Sequence, residues 1–397
     1  MTETIHRSAL RRMTMRSPSE PHRAASSLEL LFDLVFVVAV SFASVSLHHN
    51  LQEGHVFLGV VHYLMAFFAI WWAWMNFTWF GTSFDTDDWL YRIATVVQMG
   101  GALTFAAGVS GISNVDHPDF TLGVTGYIIM RLAMAFQWFR AAHDEPRTRK
   151  TTLRYGFGIL VVQCFWLLLY VLPDDLKLPA FLVGIVLEIS VPIFAEAAGT
   201  TSWHLHHMTE RYGLFTLIVL GESILASTNA VVEVGTSTEH LADLVLLAAS
   251  SLVIIVCFWW IYFAFPQHGL LTSIRTALGW GYGHYAIFAS AAALSAGIEI
   301  SLNVESGDLH LSHVAAAATL AVPCAVYLFF VWFLVLRRQS SGRVNVVVPL
   351  LAVLVALASF APFSLQVVAV LMVLAVVVVV AGRDRSFRAL QDHGTWA

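Results

Sequence analysis

The sequence predicts an all-α fold, a polytopic bundle of about twelve transmembrane helices, and three observations carry that prediction. The apolar fraction is 58% and the charged fraction 12%, against roughly 45–50% and ~25% in a soluble domain. A soluble core of 397 residues cannot absorb that much apolar surface, so the bilayer has to act as solvent. Apolar runs close to the ~20 residues needed to cross ~30 Å of hydrocarbon fall at 28–48, 56–79, 89–110, 119–141, 151–172, 178–199, 212–233, 239–265, 279–303, 309–336, 344–361 and 363–381. Counting loops alternately then places all but two of the 21 Lys and Arg residues in one set of loops and tails. The opposite set holds only Lys177, and Arg131 lies inside a span. That is the bias of the positive-inside rule, and it predicts a multi-pass protein of the plasma (cytoplasmic) membrane with both termini cytoplasmic.

Each segment follows from this count. Residues 1–27 form a basic cytoplasmic tail that includes Arg7. No small-residue cleavage site follows the first apolar core, and Asp33 interrupts it, so a retained helix is expected there and not a signal peptide. Spans one to six make a first half, 28–199, residues 200–211 a linker, spans seven to twelve a second half, 212–381, and 382–397 a second cytoplasmic tail with Arg383, Arg385 and Arg388. The loops opposite the basic ones are acidic, with Asp116, Asp119, Asp174, Asp175, Glu239, Glu305 and Asp308. The last two runs are short and joined by Ala361-Pro362-Phe363, so ten spans plus a re-entrant hairpin is the competing count. Trp71-Trp72-Ala73-Trp74 in span two lines up with Trp259-Trp260-Ile261-Tyr262 in span eight. A parallel repeat of two six-helix halves and a chance recurrence of membrane residues both fit that likeness.

Several classes are excluded or unsupported. A net charge of −5 suggests no nucleic acid or other polyanionic partner. Cys164, Cys257 and Cys324 all sit in apolar runs, which argues for reduced thiols. No nucleotide loop, CxxC pair or HExxH is present, so no cofactor is expected. The expected partners are the lipid bilayer and a small solute or ion. Spans eleven and twelve, nearly pure Val, Leu and Ala, suit scaffold, a lipid-facing surface or a homo-oligomer contact.

Two stretches resemble the bacterial low temperature requirement A (LtrA) family. Leu28-Glu29-Leu30-Leu31-Phe32-Asp33-Leu34-Val35-Phe36-Val37 resembles the family's opening E-L-x-F-D-L-V-F-V. His207-Met208-Thr209-Glu210-Arg211-Tyr212-Gly213-Leu214-Phe215, continuing through Ile218 to Ile224, is similar to its H-x-x-E-R-x-G-L and I-x-L-G-E-S-I. Ala296-Gly297-Ile298-Glu299 is a looser echo. The family's name implies a role in growth in the cold, and the resemblance implies no particular substrate or reaction.

Charges buried in hydrocarbon need a reason, since each costs ~2.5–3.5 kcal/mol at mid-bilayer on insertion scales. At ~1.5 Å rise per residue, Glu222, Arg131 and Glu188 fall near mid-membrane. Asp33 lies in the inner third, with His62 and Glu299 toward the outer side. The acids outnumber Arg131, so the surplus is expected to be protonated, hydrated or bound to a cation. A set of neutral acids that only bond neighbouring helices is the other reading. Glu29 and Asp33 are one turn apart and repel unless a base lies between them. Arg211 is the candidate for that role, while Glu29 is expected at the headgroups as a solvated helix-start acid. Pro192 frees the carbonyl of Glu188 four residues earlier. His204, His207 and Glu210 at i, i+3 and i+6 form a possible divalent metal set, and His284 is a further polar candidate. The aromatic run at Trp71, Trp72, Trp74 and Trp79 reads as an interfacial belt and packing. Gly100-Gly101 and Gly108 should let helices approach closely.

A proton- or cation-coupled secondary transporter fits these features, with Asp33 and Glu222 as the coupling pair and Arg131 as counter-charge or anion contact. A non-transporting membrane factor, lipid-binding or assisting envelope assembly in the cold, is the alternative. An intramembrane enzyme lacks a nucleophile–base pair.

Overall fold

The structure, a computed structural model, describes residues 10–20, 23–234, 241–306 and 311–392. Arg7, Glu239 and Asp308 lie outside the described residues, as do the side chains of Glu305, Arg385 and Arg388. Twelve α-helices run in order among those described. They are α1 (Ser27–Gln52), α2 (Val56–Phe84), α3 (Trp89–Ile112), α4 (Thr121–Asp144), α5 (Arg149–Trp166), α6 (Asp174–Glu196), α7 (Leu205–Val234), α8 (Leu241–Tyr262), α9 (Ile274–Ser306), α10 (His313–Val331), α11 (Gly342–Leu357) and α12 (Ser364–Asp392). Such runs become helices because hydrocarbon offers no partner for backbone N–H and C=O groups, and a helix satisfies them internally.

Ten helical segments are long and apolar enough to cross a membrane among the described residues, including both Gly342–Phe360 and Ser364–Arg383. The sequence grouped those last two as a possible re-entrant hairpin; each alone has the length and composition of a span. The two helices outside the ten are α7 and α9, which carry Glu222 and Glu299.

The chain packs as two compact units, residues 1–43 with 65–211, and residues 44–64 with 212–397. In the first unit α3 and α4 meet through glycines. A Cβ on Gly101 would stand 2.8 Å from Gly126 O, and Cβ atoms on Gly108 and Gly126 would strike the backbone of the opposite helix. Gly100, also expected at such an approach, faces open space instead. Trp138 on α4 stacks on Tyr155 of α5 at 4.0 Å. In the second unit a Cβ on Gly297 of α9 would stand 2.6 Å from Thr319 O of α10. Tyr327 of α10 stacks on Phe258 of α8 at 3.7 Å and donates to its carbonyl.

Helix starts are capped as their sequences dictate. Ser26 and Glu29 form a reciprocal capping box at α1: Glu29 N–H donates to Ser26 Oγ (3.3 Å) and Ser26 N–H to Glu29 Oε2 (2.8 Å). Asp88 caps α3 through Tyr91 N–H (2.9 Å). The Trp71–Trp74 run serves packing, one of the two roles its sequence suggested. Trp71, Trp72 and Trp74 are all buried, because α2 is enclosed by its neighbours over this stretch.

Candidate functional site

The principal cluster lies in the first unit, where α1, α2 and the start of α7 converge. Glu29 and Asp33 project from α1 one turn apart, and both are buried. Arg211, fully buried on α7, sits between them: Nη1 is 3.4 Å from Glu29 Oε1 and Nη2 is 2.6 Å from Asp33 Oδ1. The base expected between the two acids is therefore present. The same Nη2 reaches Thr78 Oγ1 of α2 (3.3 Å), and Trp74 Nε1 donates to Asp33 Oδ1 (2.7 Å). His207, one turn before Arg211, places Nε2 3.0 Å from Glu29 Oε1, close but not directed as a hydrogen bond. Glu29 is thus no solvated headgroup acid. It is held by an arginine and a histidine from another helix, which repay the desolvation that a lone carboxylate could not bear.

Some capacity in this cluster is unused. Asp33 Oδ2 and Arg211 Nε are buried without hydrogen-bond partners. Two carboxylates face one guanidinium and one imidazole, so the net charge of the cluster depends on a proton at His207 or at an acid.

The mouth of the cluster is built by Arg16, Glu20, Arg23 and their neighbours Pro18, Ser19 and Ala24. Arg23 donates to the carbonyls of Gly81 and Thr82 at the end of α2. Arg16 pairs with Glu20 (2.7 Å) and Asp85 (3.4 Å). His204 Nε2 meets Glu20 O (2.7 Å), and its Nδ1 accepts from His207 N–H (3.3 Å). A cavity of about 620 Å³ opens here, lined by Glu20, Arg23, His204, His206 and Glu210 among others. The expected metal set is corrected by this geometry. Both ring nitrogens of His204 and the Nε2 of His207 face other partners, and no group of three metal-ligating side chains converges among the described residues. A shared helix face was not enough, because each ring turns to its own neighbour.

A second cluster of the first unit centres on Glu188 of α6, which is fully buried. Arg131 Nη2 stands 2.7 Å from Oε2, which also accepts from Trp72 Nε1 (2.9 Å). Oε1 accepts from Tyr127 Oη (2.9 Å), Trp166 Nε1 (3.1 Å) and Gln163 Nε2 (3.4 Å). Five donors converge on this one carboxylate and fill its capacity as an acceptor. Arg131 is the charge paired with Glu188, and its Nε and Nη1 are buried without hydrogen-bond partners. A small cavity of about 30 Å³ borders Tyr127 and Trp166, room for about one water.

In the second unit, His284 is buried on α9. Its Nδ1 lies 2.7 Å from Trp280 O and its Nε2 3.1 Å from Tyr262 Oη, among the rings of Tyr212, Trp280 and Phe288. Glu299 pairs with His48 at 3.3 Å. Glu222 and His62 are half-buried. The sequence did not mark Trp72, Trp74, Thr78, Tyr127 or Trp166 as polar partners. Trp72 and Trp74 are two residues apart, about 200° around a helix, so they serve two different acids, Glu188 and Asp33.

This fold and these clusters define a polytopic helical membrane protein with paired charges inside its spans. The chain belongs to the family described as bacterial low temperature requirement A protein (LtrA), whose sequence model matches residues 24–382. A curated protein of Rhizobium meliloti (strain 1021), named there as uncharacterized, is 26% identical over 258 residues, 63% of this chain and 60% of the relative. The chain thus spans about three-fifths of the length of that relative.

Proposed function

We propose that this LtrA-family protein is a proton- or cation-coupled secondary transporter of a small solute, set in the bacterial plasma membrane with both termini cytoplasmic. The observation that carries the reading is Asp33. One oxygen is engaged by Arg211 and Trp74, and the other is buried without a partner. A carboxylate in that state gains from binding a proton or cation, and doing so releases Arg211 to change partners. Glu222 is the second coupling candidate, and the basic asymmetry of the loops supports the orientation. The Glu188–Arg131 pair is scaffold in this reading.

The test is purified protein in liposomes with an imposed pH gradient and an internal pH dye. The wild type is expected to raise proton flux above empty liposomes once its solute is supplied from a metabolite mixture, and Asp33→Asn to abolish the increase. Unchanged flux in a folded Asp33→Asn protein removes the proposal. The alternative, a membrane factor that aids the envelope in the cold without transporting, is favoured by Arg211 bridging both acids of α1. It expects a joint replacement, Arg211→Met with Asp33→Leu, to preserve growth in the cold.

A further inference from the structure

The segment ahead of α1 crosses the ends of several helices of the first unit. Three of its alternate amides donate to acids at those ends: Arg11 N–H to Asp88 Oδ2 (3.0 Å), Met13 N–H to Asp144 Oδ2 (2.9 Å) and Met15 N–H to Glu145 Oε2 (3.4 Å). Amides two apart face the same way in an extended chain, so one edge of the segment is committed to the start of α3 and the end of α4. Arg16 N–H follows with Ser83 O (2.9 Å) at the end of α2. Arg12 Nε donates to Asp144 O (2.7 Å), Arg140 of α4 donates to Arg11 O (2.8 Å), and Met13 is fully buried.

Farther on, the segment meets the principal cluster. The buried Arg23 donates to the carbonyls of Gly81 and Thr82, in the last turn of α2 where carbonyls run short of helical partners. A Cβ on Gly81 would stand 3.1 Å from Glu29 Oε1, so Arg23 lies across the turn of α2 that borders this acid. On the other side, His204 Nδ1 accepts from His207 N–H. A neutral His204 therefore carries its proton on Nε2 and donates it to Glu20 O (2.7 Å). His207 in turn stands 3.0 Å from Glu29 Oε1. The cavity of about 620 Å³ is lined by Arg23 and His204 but not by Glu29 or His207, which are buried.

We propose that the segment carrying Arg11, Met13, Arg16, Glu20 and Arg23 is a strap that closes the near entrance to the Glu29–Arg211–Asp33 cluster and opens it by leaving its anchors. Its purpose rests on the transport reading above, in which a solute or ion must reach Asp33; its closure does not. The anchors suit a reversible cover. Arg16 and Glu20 keep 27% and 38% of their side-chain surface, and exposed pairs of this kind hold weakly in water. Water can replace each amide-to-acid bond when the strap lifts. Among the described residues 10–20 and 23–24, only Met13 and Arg23 are buried.

The test needs no transport. In the wild type in micelles, the amides of Arg11, Met13, Met15 and Arg16 are expected to exchange with deuterium at least about tenfold more slowly than in a free peptide. Arg16→Ala with Asp144→Ala cuts two anchors and should release the four amides together. Thr82 is 1% exposed, accepts from His204 N–H (3.1 Å) and lies 3.5 Å from Arg23 Nη1, so a cysteine there reports on the cover. Thr82→Cys should react slowly with a charged, water-soluble thiol reagent, counted above the label taken by the exposed Cys164. Cutting the same two anchors should speed that labelling about tenfold, because the reaction tracks the open population. If the wild-type amides exchange at free-peptide rates, or if cutting the anchors leaves the labelling of Thr82→Cys unchanged, the strap is wrong. If closure and release behave as expected while liposomes show no proton flux, the strap stands and the transport reading fails.

Discussion

Replacing Glu188 by glutamine removes one charge and one acceptor from a point where five donors converge. The amide keeps one oxygen and turns an NH2 toward donors that cannot accept. Interhelical hydrogen bonds in membranes average about 0.6 kcal/mol, so the two or three lost with one oxygen come to about 1–2 kcal/mol. Removing one partner of a buried ion pair costs about 3–5 kcal/mol, because the other charge stays buried. Arg131 is 1% exposed, so the ion-pair argument sets the expected loss, about 3–5 kcal/mol. Reversible unfolding in bicelles would measure it. The double replacement Arg131→Met with Glu188→Leu should recover much of the loss, since it buries no unpaired charge. A cost below about 1 kcal/mol for Glu188→Gln, the worth of a single ordinary hydrogen bond, would refute the view that this pair locks α2, α4, α5 and α6 together.

Three further outcomes are expected. Gly126→Leu should destabilise by about 1–3 kcal/mol or more, because its Cβ meets the backbone of Phe105, which cannot turn aside as a side chain could; the unfolding midpoint in detergent measures it. Ser26→Ala should cost about 1 kcal/mol by breaking the capping box with Glu29, seen as faster amide exchange in the first turn of α1. Burial raises the Asp88 carboxyl, but Arg140 and the N–H groups of Tyr91 and Arg11 outweigh it and hold it below its usual 3.8. The stability Asp88 contributes is therefore complete above about 3.8 and is lost as pH falls through its lower folded value. An Asp88→Asn protein should lack that acid-dependent loss in an unfolding series across pH.

Part of the cluster around Arg211 was legible from spacing together with the suggested pairing of spans one and seven. Glu29 and Asp33 one turn apart in an apolar run demanded a base, and Arg211 was the one placed to supply it. The tryptophans were not legible. An indole reads as apolar bulk until a neighbouring acid is known, and Trp72 and Trp74 find theirs on helices far away in sequence. The N-terminal strap was silent for the same reason, since its anchors are acids at the start of α3 and the end of α4, far away in sequence.

The sequence by itself determined the solvent, the helical class and the residues that are costly to bury. Those follow from local composition and from the period and length of apolar runs, which any bilayer reads in the same way. Only the tertiary structure decided which charge met which. It gave Arg131 to Glu188 and Arg211 to Glu29 and Asp33, and it turned His204 and His207 away from a common metal. Pairing depends on the rotation of each helix about its axis against several neighbours, and that rotation is set by packing, such as the glycine contacts of α3 and α4, which no single segment encodes.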